Sequence, residues 1–214
     1  MLLEEYRQRL VECGRELSEA SMSVGSAGNI SVRIGDKIVI TGRGQSFGRL
    51  DAAQLTVMGT DGRFVDGYGF PSSELPLHLA VYQERSEQAV VHTHSLFATV
   101  LGTEVDELPA IHYGVVALGG PIRVVPYATF GTEELADSVV RGLVGRFAVL
   151  LRNHGAVSVG LTLEEAVERA ILLEWLCSVY WHAVAIGAPR ILTESELEGV
   201  ANQRDRLAHR ERLP

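Results

Sequence analysis

With 214 residues, 46% hydrophobic and 21% charged, the chain has the balance of a globular protein whose length suits one domain, residues 1–214, with a sizeable core. Its 19 Lys and Arg against 27 Asp and Glu give a net charge of −8, and no basic run reads as a nucleic-acid footprint. The charged N-terminus lacks an apolar signal core, Glu168, Arg169, Glu174 and His182 interrupt the most apolar segment, and Cys13 and Cys177 read as buried thiols, so no membrane span and a cytoplasmic location are expected.

Leu2, Leu3, Tyr6, Leu10, Cys13 and Leu17 recur at helical spacing and predict an amphipathic helix from residue 2 to about residue 22. The glycine turn Gly25-Ser-Ala-Gly28 ends it. Asn29 to Ile34 and Lys37 to Thr41 read as a hairpin, and Leu55 to Met58 with Arg63 to Val65 read as a second one around Asp61-Gly62. Pro71-Ser-Ser-Glu74 suits a helix entry, with the Glu74 carboxylate in the first turn of a helix running to about Arg85.

Gln88 to Thr93 predicts a strand ending at His94, and a short helix follows from Ser95. A less regular stretch carries Ile111-His-Tyr-Gly114 and a strand-like Arg123 to Val125. Thr132 to Leu143 predicts a helix. Phe147 to Leu151 predicts a buried strand that Ala156 to Val159 continues or pairs beside. Thr162-Leu-Glu-Glu165 fits a capping box for a long, buried last helix, and Arg204 to Arg212 reads as a solvated tail. Hairpins mixed with helices favour an antiparallel or mixed sheet covered by helices.

His92 and His94 leave one face of a strand together, at the end of apolar Ala89-Val-Val. His154 sits between Asn153 and Gly155 after another apolar strand. Three imidazoles with an open fourth position are what catalytic zinc requires. His-x-His is a weak signal taken alone, because a strand histidine is more often a hydrogen-bonded core residue. Spacing by itself leaves ligation and packing equally open. Ser72 and Ser73 taken alone read as helix caps, Glu74 as a dipole partner, and His78 as a packing or orienting residue rather than a ligand.

The motifs in order decide between these readings. Ser26-Ala-Gly-Asn-Ile-Ser31, Pro71-Ser-Ser-Glu74, Val90-Val-His-Thr-His94, Ala110-Ile-His-Tyr113, Pro126-Tyr-Ala-Thr-Phe-Gly131 and Asn153-His-Gly155 resemble the class II aldolase/adducin family, nearest its L-fuculose-phosphate aldolase branch. The resemblance implies an α/β fold of three αβα layers around a mixed, largely antiparallel sheet. It also implies a homotetramer with active sites between subunits.

The resemblance further implies one Zn2+ per subunit on His92, His94 and His154, with Glu74 as a displaceable ligand and acid/base. Gly28, Asn29, Arg43, Gly44, Ser72 and Ser73 fall where such enzymes hold substrate phosphate. Tyr113 matches a tyrosine that assists proton transfer across a subunit boundary. The implied reaction is retro-aldol cleavage of a phosphorylated ketose, a ketose 1-phosphate such as L-fuculose 1-phosphate. Dehydratases of the methylthioribulose-1-phosphate type and pentulose-phosphate 4-epimerases on the same fold are the alternatives, followed by a non-catalytic adducin-like binding module.

Two departures from the family pattern stand out. Arg43 replaces a small hydroxyl residue in Thr41-Gly-Arg-Gly44, and no tyrosine follows Tyr180. Lys37 is the chain's one lysine and lies in a predicted hairpin strand, which argues against Schiff-base chemistry.

Overall fold

The computed structural model describes residues 1–211. Its centre is a nine-stranded sheet in the order β4-β3-β2-β1-β5-β9-β8-β7-β6. The strands are β1 (Asn29–Ile34), β2 (Lys37–Ile40), β3 (Thr56–Gly59), β4 (Phe64–Asp66), β5 (Ala89–Thr93), β6 (Glu107–Leu108), β7 (Ile122–Val125), β8 (Ala148–Leu151) and β9 (Gly155–Gly160). Only the β7–β8 pair is parallel, so the sheet is mixed and largely antiparallel, as expected. Both predicted hairpins form, and the segment after β8 pairs beside it.

Alternation along the strands divides the core into two faces. Ile38, Ile40, Val90, Val149, Val157 and Val159 pack against α2 (Leu75–Glu84) and α4 (Glu133–Gly142). Ile30, Val32, Val39, Val57, Ala89 and Val91 face the other way, against α1 (Glu4–Glu19) and the first half of α5 (Leu163–Ile186). Further along that second face, Ala148, Leu150 and Ala156 meet α3 (Leu96–Glu104) and α5. The result is three layers, helices on both sides of one sheet.

Three features differ from the sequence reading. The stretch read as a solvated tail is mostly the helix α6 (Glu194–Glu211); Arg212 lies outside the described residues. Thr193-Glu-Ser-Glu196 opens it with a full capping box, for Thr193 Oγ1 accepts from Glu196 N–H and the Glu196 carboxylate accepts from Thr193 N–H. Helix α6 has little apolar face, so its helical period is weak, and partly buried Leu192 and Leu197 dock this region on the core.

The second difference is in α5, the one helix among the described residues long and apolar enough to cross a membrane. It is buried on the sheet side as far as Cys177, then leaves Trp181, Val184 and Ile186 exposed. The third difference is at its start. Thr162 Oγ1 accepts from Glu165 N–H, but the Glu165 carboxylate takes Leu161 N–H instead of closing the box on Thr162.

Candidate metal and anion site

Parity on β5 places His92 on the same face as Val90, beneath the start of α2. Antiparallel register sets Asn29 of β1 directly across from His92. Helix α2 begins at Leu75, so Glu74 is its N-cap residue rather than a member of the first turn. From there its carboxylate reaches over β1 and β5. The turn between β8 and β9, with Asn153 in a left-handed conformation (φ 54°), brings in His154.

Gly155 makes this approach possible. A Cβ there would lie 2.2 Å from the Thr93 carbonyl oxygen, so backbone crossing rather than substrate access demands glycine at this position. Gly28 has the same function beside β1. Its φ is +85°, and a Cβ would sit 2.7 Å from the His92 carbonyl oxygen.

The three imidazoles meet edge to face with ring centroids 4.8–4.9 Å apart. His92 donates Nδ1–H to the Ala156 carbonyl (2.9 Å), which leaves its Nε2 lone pair aimed into the cluster. That nitrogen lies 3.0 Å from His94 Nε2 and 3.0 Å from Glu74 Oε2. Glu74 Oε1 is 3.4 Å from His154 Nε2 and is buried without a hydrogen-bond partner. All four ligand atoms fall within 4.8 Å of one another.

Burial, reinforced by the neighbouring His92 ring, pushes His94 down to about 3 and His154 to about 4, so both are neutral at ordinary pH. Burial also opposes the Glu74 charge, but His92, the Asn29 amide and His154 outweigh it and hold the carboxyl well below its usual range. Three imidazoles, an anionic carboxylate and an orphaned carboxylate oxygen form a donor set that fits one divalent cation.

A cavity of about 280 Å³ opens beside this cluster. Its walls include Gly28, Asn29, Arg43, Gly44, Ser72, Ser73, Glu74, His94 and His154, gathering most of the candidate positions. Backbone stitching brings the loops together: Ser72 N–H donates to Thr41 O, Arg43 N–H to Phe70 O, and Gly42 bridges Pro71. Ser72 Oγ accepts from Glu74 N–H, so this serine is a cap as well as a wall.

Tyr113 does not line this cavity. It starts a 3-10 turn (Tyr113–Leu118), stacks on His112 at 4.2 Å and is exposed. The cavity also has lining residues that were not singled out in the sequence: Ser26, Ala27, Tyr127, Ala128, Phe130 and Asn153. All of them sit inside or beside motifs already noted, and proximity to those motifs was the available signal. Lys37 pairs with Asp36 on the β1–β2 hairpin and is not a lining residue.

Comparison with known proteins adds independent findings. The class II aldolase and adducin N-terminal domain matches residues 8–181. A 5-deoxy-D-ribulose 1-phosphate aldolase of Bacillus thuringiensis serovar kurstaki is 34% identical over 206 residues, spanning 95% of this chain and 97% of the relative. A 5-methylthioribulose-1-phosphate/5-deoxyribulose-1-phosphate aldolase of Rhodospirillum rubrum is 38% identical over 196 residues, 91% of this chain and 88% of the relative. A solved L-fuculose 1-phosphate aldolase superposes with TM-score 0.89 at 35% identity, covering 93% of this chain and 95% of its own.

Proposed function

The chain belongs to the class II aldolase and adducin family, on its lyase side, and from that membership we propose that it cleaves a ketose 1-phosphate to glycerone phosphate and an aldehyde, with Zn2+ as its metal. The observation that carries the reading is the juxtaposition of the Glu74, His92, His94 and His154 cluster with a cavity lined by glycine turns, serines and Arg43. Converging N–H groups, hydroxyls and a guanidinium suit a phosphate, and the phosphate end seats the sugar over the cluster.

When bound, zinc supplies Lewis-acid stabilisation of the negative charge that develops on the substrate oxygens. The chain's own groups do the rest. Gly28, Asn29, Arg43, Gly44, Ser72 and Ser73 hold the phosphate. The substrate's C4 hydroxyl passes its proton to Tyr113 of a neighbouring subunit as the phenol proton leaves to water, the C3–C4 bond breaks, and its electron pair moves toward the C2 carbonyl oxygen. Glu74 takes a proton from water and delivers it to C3 of the resulting enediolate, which releases glycerone phosphate.

Tyr113 lies outside its own chain's cavity, which supports its serving a neighbour's. The half-exposed Trp175, Trp181 and Val184, together with exposed Ile186, offer an apolar surface for the homotetramer that this arrangement needs. A solution mass of a single chain would remove it. Two free buried thiols, Cys13 and Cys177, suit the cytoplasm proposed for the enzyme.

The test is product analysis across L-fuculose 1-phosphate, 5-deoxyribulose 1-phosphate and 5-methylthioribulose 1-phosphate. Glycerone phosphate is the expected product, whereas an epimer or a dehydrated ketone from every substrate rejects the aldolase reading. These three sugars all end in an apolar group. Tyr127 and Phe130, exposed in the cavity wall, favour such a terminus on the aldehyde half.

Arg43 provides a narrower check. Its side chain is exposed and lines the cavity. Losing one charge-assisted contact, worth about 1.5–3 kcal/mol, should raise KM for a phosphorylated ketose roughly tenfold or more in Arg43→Ala with little change in kcat. An unchanged KM takes Arg43 out of phosphate binding.

A further inference from the structure

Glu74, His78 and Tyr82 follow one another at i, i+4 and i+8, so they form a polar stripe along α2 in a helix whose other buried residues are apolar. Asn29 and Ser31 alternate on the face of β1 that this stripe covers. All five are buried, with His78 and Ser31 at 0% exposure. Four contacts link them in a line: Tyr82 Oη to Ser31 Oγ (2.7 Å), Ser31 Oγ to His78 Nδ1 (2.6 Å), His78 Nε2 to Asn29 Oδ1 (2.5 Å) and Asn29 Nδ2 to Glu74 Oε2 (2.9 Å).

The direction of every link follows from its neighbour. A carboxylate only accepts, so Asn29 turns its NH2 toward Glu74 and its oxygen toward His78. That oxygen requires a proton on His78 Nε2. Full burial keeps the ring neutral, so Nδ1 is a lone pair and accepts from Ser31 O–H. The Ser31 oxygen then accepts from Tyr82 O–H. An amide cannot pass a proton along without losing its resonance, so the line orients groups and does not conduct.

We propose that Tyr82, Ser31 and His78 form a one-directional relay that fixes the Asn29 amide as a pure N–H donor toward the site, making His78 a positioning residue for Glu74. One N–H holds the carboxylate. The other remains for an anion in the cavity that Asn29 lines. The relay explains why a fully buried histidine lies one turn beyond Glu74 without joining the cluster.

The functional arm of this inference rests on Glu74 working at the cluster, so the first test needs no turnover. In metal-free, 15N-labelled protein, two-bond 1H–15N correlation should find His78 as the Nε2–H tautomer, with the resonance assigned by its loss in His78→Gln. The Nδ1–H tautomer would overturn the proposal, because Asn29 would then present its oxygen to Glu74.

Zinc competition titration and kinetics follow. His78→Gln keeps an N–H near the Nε2 position and should stay within about threefold of the parent in kcat and zinc affinity. His78→Leu should lose about 10–100-fold in zinc affinity or kcat, with KM moving less. A folded His78→Leu with parental zinc affinity and kcat rejects the relay. If the leucine variant does not fold, Ser31→Ala replaces it: loss of the hydroxyl should admit the second His78 tautomer, and an unchanged single tautomer counts against the relay. Absence of turnover on any ketose 1-phosphate would sink the aldolase reading while leaving the tautomer and zinc measurements to judge the relay.

Discussion

Glu74→Gln is expected to lower aldol cleavage by about 10²–10⁴-fold in kcat while the protein still folds and takes up zinc. Glutamine preserves the shape of the N-cap and an oxygen that can accept from the Asn29 amide, so the contact at 2.9 Å survives. It cannot accept and return a proton. It also removes the negative charge from a group that burial disfavours and that His92 and Asn29 hold anionic. The three imidazoles remain as ligands, so zinc is retained, more weakly than before. Steady-state kinetics with metal analysis of the same preparation decide the matter. Near-parental kcat in a zinc-loaded Glu74→Gln protein would exclude Glu74 as the acid/base.

His154→Ala should do more damage by a different route. It leaves two imidazoles and one carboxylate, and it opens the wall of the cluster formed by the β8–β9 turn. Lewis-acid stabilisation worth several kcal/mol is lost with the metal, so kcat/KM should fall by about 10³-fold or more. Chelation of the parent enzyme should reach a similar floor and reverse on zinc addition, whereas His154→Ala should not recover at equal zinc. His209→Ala is the control, since that ring is exposed on α6 and takes no part in the cluster. Full zinc content and activity in His154→Ala would break the metal reading itself.

Much of this architecture was legible beforehand. Short strand-like runs divided by turns marked both N-terminal hairpins, and period-3.6 spacing marked α1, because turn chemistry and a helix's apolar stripe are local and need no knowledge of the partner. The α6 helix writes no clear period because few apolar residues dock it, Leu192 and Leu197 among them. A capping box at Thr193–Glu196 was the available sign. The end of α5 departs in the opposite direction, since the helix expected to be buried leaves apolar Trp181, Val184 and Ile186 uncovered in the chain alone.

At the site, the sequence by itself determined the chemistry on offer: His92 and His94 at a strand end, His154 beside a glycine, and a carboxylate after two serines. Strand parity placed His92 and His94 on one face. Only the tertiary structure decided that β1 and β9 flank β5, which puts Asn29 and the His154 turn on either side of His92 and lays Glu74 across them. It also decided that His78 supports Asn29 instead of binding the ion, and that Tyr113 lies outside its own cavity. The reason is physical. Periodicity is a local property of the chain, whereas the meeting of distant side chains depends on sheet order and on close backbone crossings such as Gly155 over Thr93, which no local pattern records.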